Sequence, residues 1–138
     1  MSKTLAQKFY IKPDYRLLIL NAPDSFLKTQ LIDLPNEVSL LTALEDSPDI
    51  IIQFSTNRSH LSAIIPAFTQ QIIQSNYLWI CYPKGGKKAA IPTDLNRDIV
   101  WKIMVEAGFK AVHQMSIDEV WSAVRFRVET REYPQQIV

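Results

Sequence analysis

Short apolar runs separated by polar turns set the rhythm of this chain. Leu17-Leu18-Ile19-Leu20 is wholly apolar and stops at Asn21-Ala22-Pro23-Asp24. Ile50-Ile51-Ile52-Gln53-Phe54 and Leu78-Trp79-Ile80-Cys81-Tyr82 repeat the pattern, and Val38 to Leu41 gives a weaker version. Runs of this length without alternation predict strands buried on both faces. Between them the period changes. Leu61, Ile64, Ile65, Phe68 and Ile72 share one face at helical spacing, behind a possible cap in Ser55-Thr56-Asn57. Pro66 interrupts that pattern and is expected to kink the helix or open a second one, because it has no N–H to donate.

A second long helix is predicted over 97–107, with Ile99, Val100, Ile103, Met104 and Ala107 on one side and Gly108 as its left-handed stop. Shorter helices are predicted over 4–9, ended by Lys12-Pro13-Asp14, and over 25–31, capped by Asp24 or Ser25. Strands over 110–117 and 121–128 form a hairpin by the length of their connection. In the last strand Ser122, Val124, Phe126 and Val128 share one face, while Trp121, Ala123, Arg125 and Arg127 share the other, expected to be wet. His113 and Met115 are expected on one strand face with Ala111 and Ile117. Residues 129–138 read as a polar tail of a single α/β domain spanning 1–138.

Alternating strands and helices that end in a hairpin predict a three-layer α/β sandwich. Its sheet should hold about six strands, mostly parallel, with a C-terminal antiparallel hairpin. One link is too short for a normal parallel crossover: only residues 42–49 join the second strand to the third. The second strand is therefore expected to be an irregular edge element.

Composition narrows the function classes. The 138 residues carry a formal net charge of +1, so no global field draws in nucleic acid or an acidic membrane. No run approaches the length of a membrane span, no signal-peptide pattern opens the chain, and a cytoplasmic location is expected. Cys81 is the single cysteine and lies in an apolar run, so it is read as a core residue. Neither metal-ligand spacing nor a serine nucleophile elbow occurs.

In open α/β sheets, ligands bind beyond the carboxyl ends of the parallel strands. That rim is predicted to collect Asn21, Asp24, Ser55, Thr56, Asn57, Arg58 and Lys84. Lys84 opens a basic loop, Lys84-Gly85-Gly86-Lys87-Lys88, and Thr93-Asp94-Leu95-Asn96-Arg97-Asp98 follows it. Lys84, Thr56, Arg58, Asp94 and Arg97 are the candidate ligand-binding residues, suited to a phosphate or carboxylate. The competing structural roles are a solvated loop and helix capping by Thr93 or Asn96. Trp121, Arg125 and Arg127 offer either a dimer surface or intramolecular cation–aromatic packing over Trp121.

This succession of elements resembles a class I methyltransferase fold with a shortened amino-terminal half, over about residues 15–128. The resemblance implies the strand order 2-1-3-4-6-5. The chain departs from that family where the cofactor would sit. Asn21-Ala22-Pro23-Asp24 replaces the glycine-rich turn after the first strand, and Leu40-Leu41-Thr42 replaces the acid that would end the second. No cofactor is expected, S-adenosylmethionine included.

In residue detail the chain is similar to a family of small bacterial domain-of-unknown-function proteins. The matching residues include Ile11-Lys12-Pro13, Asn21-Ala22-Pro23, Trp79-Ile80-Cys81-Tyr82-Pro83-Lys84, Thr93 to Asp98, Trp101, Gly108 and Trp121 to Arg127. Tyr10 stands where that family usually has glycine. The resemblance assigns no activity. The expected function is a small, cytoplasmic, non-catalytic interaction or small-anion-binding module. The alternative is a group-transferase-like enzyme acting on a phosphorylated or carboxylated small molecule around Lys84.

Overall fold

The computed structural model describes residues 5–24, 26, 34–44, 48–71, 77–85 and 90–129. Its elements are α1 (Leu5–Lys8), β1 (Arg16–Leu20), β2 (Ser39–Leu41), β3 (Ile50–Phe54), α2 (Arg58–Gln71), β4 (Tyr77–Pro83), α3 (Arg97–Glu106), β5 (Phe109–Ser116) and β6 (Trp121–Val128). One six-stranded sheet runs β2-β1-β3-β4-β6-β5. The first four strands are mutually parallel, and β6 pairs antiparallel with both β4 and β5. The predicted α/β class holds, and so does the strand order that the methyltransferase resemblance implied. The helix expected over 25–31 lies almost wholly outside the described residues, as do Ile72, Gly86, Lys87, Lys88 and the tail 130–138.

The apolar runs split by side-chain alternation into two cores, one on each face of the sheet. Leu18, Ile51, Leu78, Ile80, Val124 and Phe126 pack under α2 and α3 through Leu61, Phe68, Val100 and Met104. Leu17, Ile50, Ile52, Phe54, Trp79, Cys81 and Ala123 pack on the opposite face against Ala6, Phe9, Ile11 and Phe26. All five residues of β3 are buried, as its uninterrupted apolar pattern requires. Trp79 is fully buried, and its indole N–H donates to the Phe9 carbonyl at 3.2 Å. That bond fastens the end of the N-terminal segment to the middle of the sheet.

The brief link between β2 and β3 has a simple geometry. Leu41 and Ile51 both lie beside Leu18, on opposite sides of β1. The connection therefore crosses only two strand spacings, about 10 Å, with almost no return along the strand axis. Eight residues, 42–49, are enough to span that distance. The edge position expected for β2 is found, and its pairing is regular.

α2 is continuous from Arg58 to Gln71 with Pro66 inside it, so of the two outcomes expected at the proline the second helix does not form. Two local expectations need correcting. The outer face of β6 is not wet along its length: Trp121 and Ala123 are buried, because the N-terminal segment covers that side. A β-bulge between Ala111 and His113 breaks the alternation of β5. Ala111 pairs with Phe126, but His113 pairs with Arg125, so Ala111 and His113 face opposite sides of the sheet. The extra residue resets the two-residue period, which a strand pattern read from sequence assumes to be unbroken.

Arg125 packs intramolecularly, although not on Trp121. Its guanidinium lies 3.7 Å from the centroid of the Tyr77 ring and 4.9 Å from that of Tyr10. Tyr10 has a φ of 60°, in the left-handed region. A residue with a side chain is strained there by about 1–2 kcal/mol, and glycine would not be. Here the tyrosine ring gains contacts with Arg125, Trp79 and His113 that a glycine lacks.

Candidate functional site

The parallel strands all deliver their carboxyl ends to one rim, and the antiparallel β6 begins there. Strand order reverses between β1 and β3, since β2 lies on the far side of β1 and β4 beyond β3. At that switch point a cavity of about 300 Å³ is lined by Asn21, Phe54, Thr56, Asn57, His60 and Trp121. Asn21 turns the chain immediately after β1 with a φ of 60°. Asparagine tolerates this conformation better than most residues, so it makes the tight turn without glycine. Phe54 and Trp121 meet edge to face, with centroids 5.0 Å apart, and close the floor.

The next position along the rim is occupied by the protein itself. The Asp94 carboxylate accepts the Arg58 backbone N–H at 2.7 Å, and the Arg58 Nε donates to the Asp94 carbonyl at 3.3 Å. Asn57 accepts the His60 N–H at 2.8 Å. These bonds satisfy orphan donors at the start of α2, the place where an anion would otherwise be favoured. Arg58 and Asp94 are thus brought together as predicted, but each serves the other.

A second cleft opens where β4, β6 and β5 end, beneath the start of α3. Tyr82, Ser122 and Ser116 are in register across the three strands. They line a cavity of about 400 Å³ together with Arg97, Gln114 and Met115. The Lys84 ammonium donates to the Ser116 hydroxyl at 2.6 Å, and the Lys84 backbone N–H is anchored to the Val120 carbonyl at 2.7 Å. Asp118 holds the hairpin turn by accepting the Val120 and Trp121 N–H groups, both at 2.8 Å. Asn96 caps α3, taking the Ile99 N–H at 2.9 Å, and so aims the first turn of that helix at the cleft.

Two cations therefore stand by this cleft: Lys84 is tied to Ser116, whose own hydroxyl donates to the Asp118 carbonyl at 3.2 Å, and Arg97 is held less firmly. Arg97 pairs with Asp98 at 3.3 Å, but the two side chains are 56% and 84% exposed. Such a surface pair contributes little, so Arg97 can turn to a ligand at small cost. Burial pushes the Tyr82 phenol above its ordinary pKa, while the Arg97 charge and a Ser122 hydrogen bond pull it partly back. The phenol stays a neutral hydrogen-bonding group beside the cations. Cys81, next in the strand, is raised well above the usual thiol range by burial alone and faces the other core. Among the described residues no group of three or more His, Cys, Asp or Glu side chains has the arrangement of a metal site. No helix among them is long and apolar enough to cross a membrane.

The five predicted residues thus separate. Thr56 belongs to the switch-point cavity, Arg58 and Asp94 to the capped start of α2, and Arg97 to the second cleft, with Lys84 bound to its wall. Tyr82, Gln114, Ser116 and Ser122 escaped the sequence reading. Only the hairpin register, which pairs Ser116 with Ser122, could have pointed to them.

No family model matches the sequence, and no curated protein does. Solved structures do. The chain is similar to a SAM-dependent methyltransferase from Aquifex aeolicus, at 13% identity and a TM-score of 0.64, covering 90% of this chain and 87% of that one. It is also similar to a putative type 11 methyltransferase from Sulfolobus solfataricus, at 10% identity and a TM-score of 0.60, covering 93% and 91%. A protein of the NADB-Rossmann superfamily from Streptococcus agalactiae matches at 12% identity and a TM-score of 0.57, covering 94% and 69%.

The residues at the ends of β1 and β2 do not fit S-adenosylmethionine. Pro23 has no N–H to offer, no glycine allows close backbone approach after β1, and Thr42 and Ala43 carry no carboxylate for ribose hydroxyls. At these identities the likeness establishes architecture: this chain has the Rossmann-like fold of class I SAM-dependent methyltransferases.

Proposed function

We propose that the protein is a small-anion-binding module whose ligand sits in the cleft at the ends of β4, β6 and β5. One observation carries this reading. Three hydroxyl side chains stand in register on a cavity wall, with Lys84 hydrogen-bonded to one of them and Arg97 lining the same space. Two cations beside hydroxyl groups suit the oxygens of a phosphate or carboxylate, since charge-assisted hydrogen bonds are the strong ones; the Ser116 hydroxyl, which donates to the Asp118 carbonyl, serves to hold Lys84 in place.

Calorimetric titration with ribose 5-phosphate tests the reading. Saturable binding is expected, weakened about tenfold or more in Arg97→Ala and also reduced in Lys84→Ala, in line with a lost charged hydrogen bond. No saturable heat with wild type, or equal affinity in all three proteins, overturns it.

A second reading draws on the methyltransferases among the structural neighbours. It makes the protein a group-transferase-like enzyme acting on a phosphorylated or carboxylated small molecule at the same rim. Saturable binding of S-adenosylmethionine would favour it; the ends of β1 and β2 lead us to expect none.

A further inference from the structure

Resting on the anion-binding reading, we infer that the ligand is a mononucleotide, with its base stacked on Trp101 and its phosphate in the hydroxyl-lined cleft. Arg97 and Gln114 line that cleft and also a second cavity of about 420 Å³, whose other walls are Asp98, Trp101 and Lys102. Two residues in common make the cavities adjoining parts of one groove. One part is hydroxyl-rich; the other is bounded by an indole.

Trp101 is set apart from the other two tryptophans by its exposure. It is 41% exposed, whereas Trp79 and Trp121 are 0% and 7% exposed and belong to the core. It lies on the solvent side of α3, whose buried residues are Val100 and Met104. A large apolar ring left open beside a polar groove is the surface on which a heterocycle stacks, since every base presents a π-face.

The spacing matches the ligand's own geometry. Arg97 and Trp101 stand four residues apart on one helix face, about 6 Å along the axis. A ribose spans such a distance between a base and its 5′-phosphate. Gln114, on the facing strand β5, reaches both cavities and offers an amide donor and an acceptor to the sugar or the base edge. A bare phosphate or a sugar phosphate would leave the indole end of the groove unused.

The test compares three probes, inorganic phosphate, ribose 5-phosphate and adenosine 5′-monophosphate, by calorimetry and tryptophan fluorescence. The nucleotide is expected to bind about tenfold or more tightly than ribose 5-phosphate, the gain of one base–aromatic stack. It should also quench the emission of the exposed Trp101. Trp101→Ala should erase the tenfold gap while ribose 5-phosphate affinity stays the same, and Trp101→Phe should restore most of it. Arg97→Ala should weaken both ligands together.

If ribose 5-phosphate binds but the nucleotide binds no tighter, the nucleotide inference fails and the anion site stands. A gap that persists in Trp101→Ala also overturns the inference. If neither ligand binds, the anion reading itself fails and takes this one with it.

Discussion

The two cavities at the carboxyl rim sit on the same sheet edge, yet they are built for different ends. The switch-point cavity is floored by Phe54 and Trp121, and its polar lining is amide, hydroxyl and imidazole. The cleft under α3 has three hydroxyls in register, a lysine on its wall and an arginine at its mouth. Between them, Asp94 fills the anion position at the start of α2 with a carboxylate from the chain itself. That end of α2 is capped from within the chain, and the anion site proposed above lies toward the antiparallel end of the sheet. Topology locates the rim that can bear a site; side chains decide which part of it does.

Substitutions on the two sides should therefore separate stability from binding. Phe54→Ala removes a fully buried ring that contacts both Phe26 and Trp121. It is expected to cost about 3–5 kcal/mol in urea denaturation, while ribose 5-phosphate affinity of the folded fraction stays the same. Arg97→Ala should do the reverse, loosening the ligand with the urea midpoint unchanged. A large stability loss in Arg97→Ala, or lost binding in Phe54→Ala, would break the distinction.

Asp94→Ala tests the ground between. If the carboxylate is a cap, the variant loses about 1 kcal/mol of stability and binds ribose 5-phosphate as wild type does. A tenfold loss of affinity would place Asp94 in the site instead.

Tyr82 gives the smallest effect, confined to alkaline solution. Burial raises its folded pKa above the unfolded value of about 10. The folded state then holds the phenolic proton more tightly than the unfolded chain does. The resulting stability is complete below pH 10 and is lost as pH climbs through the folded pKa. Tyr82→Phe should show a shallower decline in urea midpoint between about pH 9 and 11 than wild type. Parallel declines would mean that the phenol is not buried in solution.

Much of this was readable along the chain because burial imprints a period on sequence. Uninterrupted runs such as Ile50 to Phe54 marked strands covered on both faces, and the Asn96 and Gly108 boundaries of α3 follow from orphan N–H groups and a left-handed stop. The bulge at Val112 was not readable, since a single inserted residue leaves no mark except a broken alternation. Nor was the coverage of β6, which depends on a segment more than a hundred residues earlier in the chain packing over Trp121 and Ala123.

The sequence by itself determined the elements, the α/β class, the buried role of Cys81 and the absence of a glycine turn after β1, because each depends on local backbone preference or on solvent avoidance. Only the tertiary structure decided which polar groups share a cavity. Asp94 meets Arg58 across 36 residues and Lys84 meets Ser116 across 32. Partnerships at that separation follow from strand order and register, which join distant residues that leave no periodic trace in the chain.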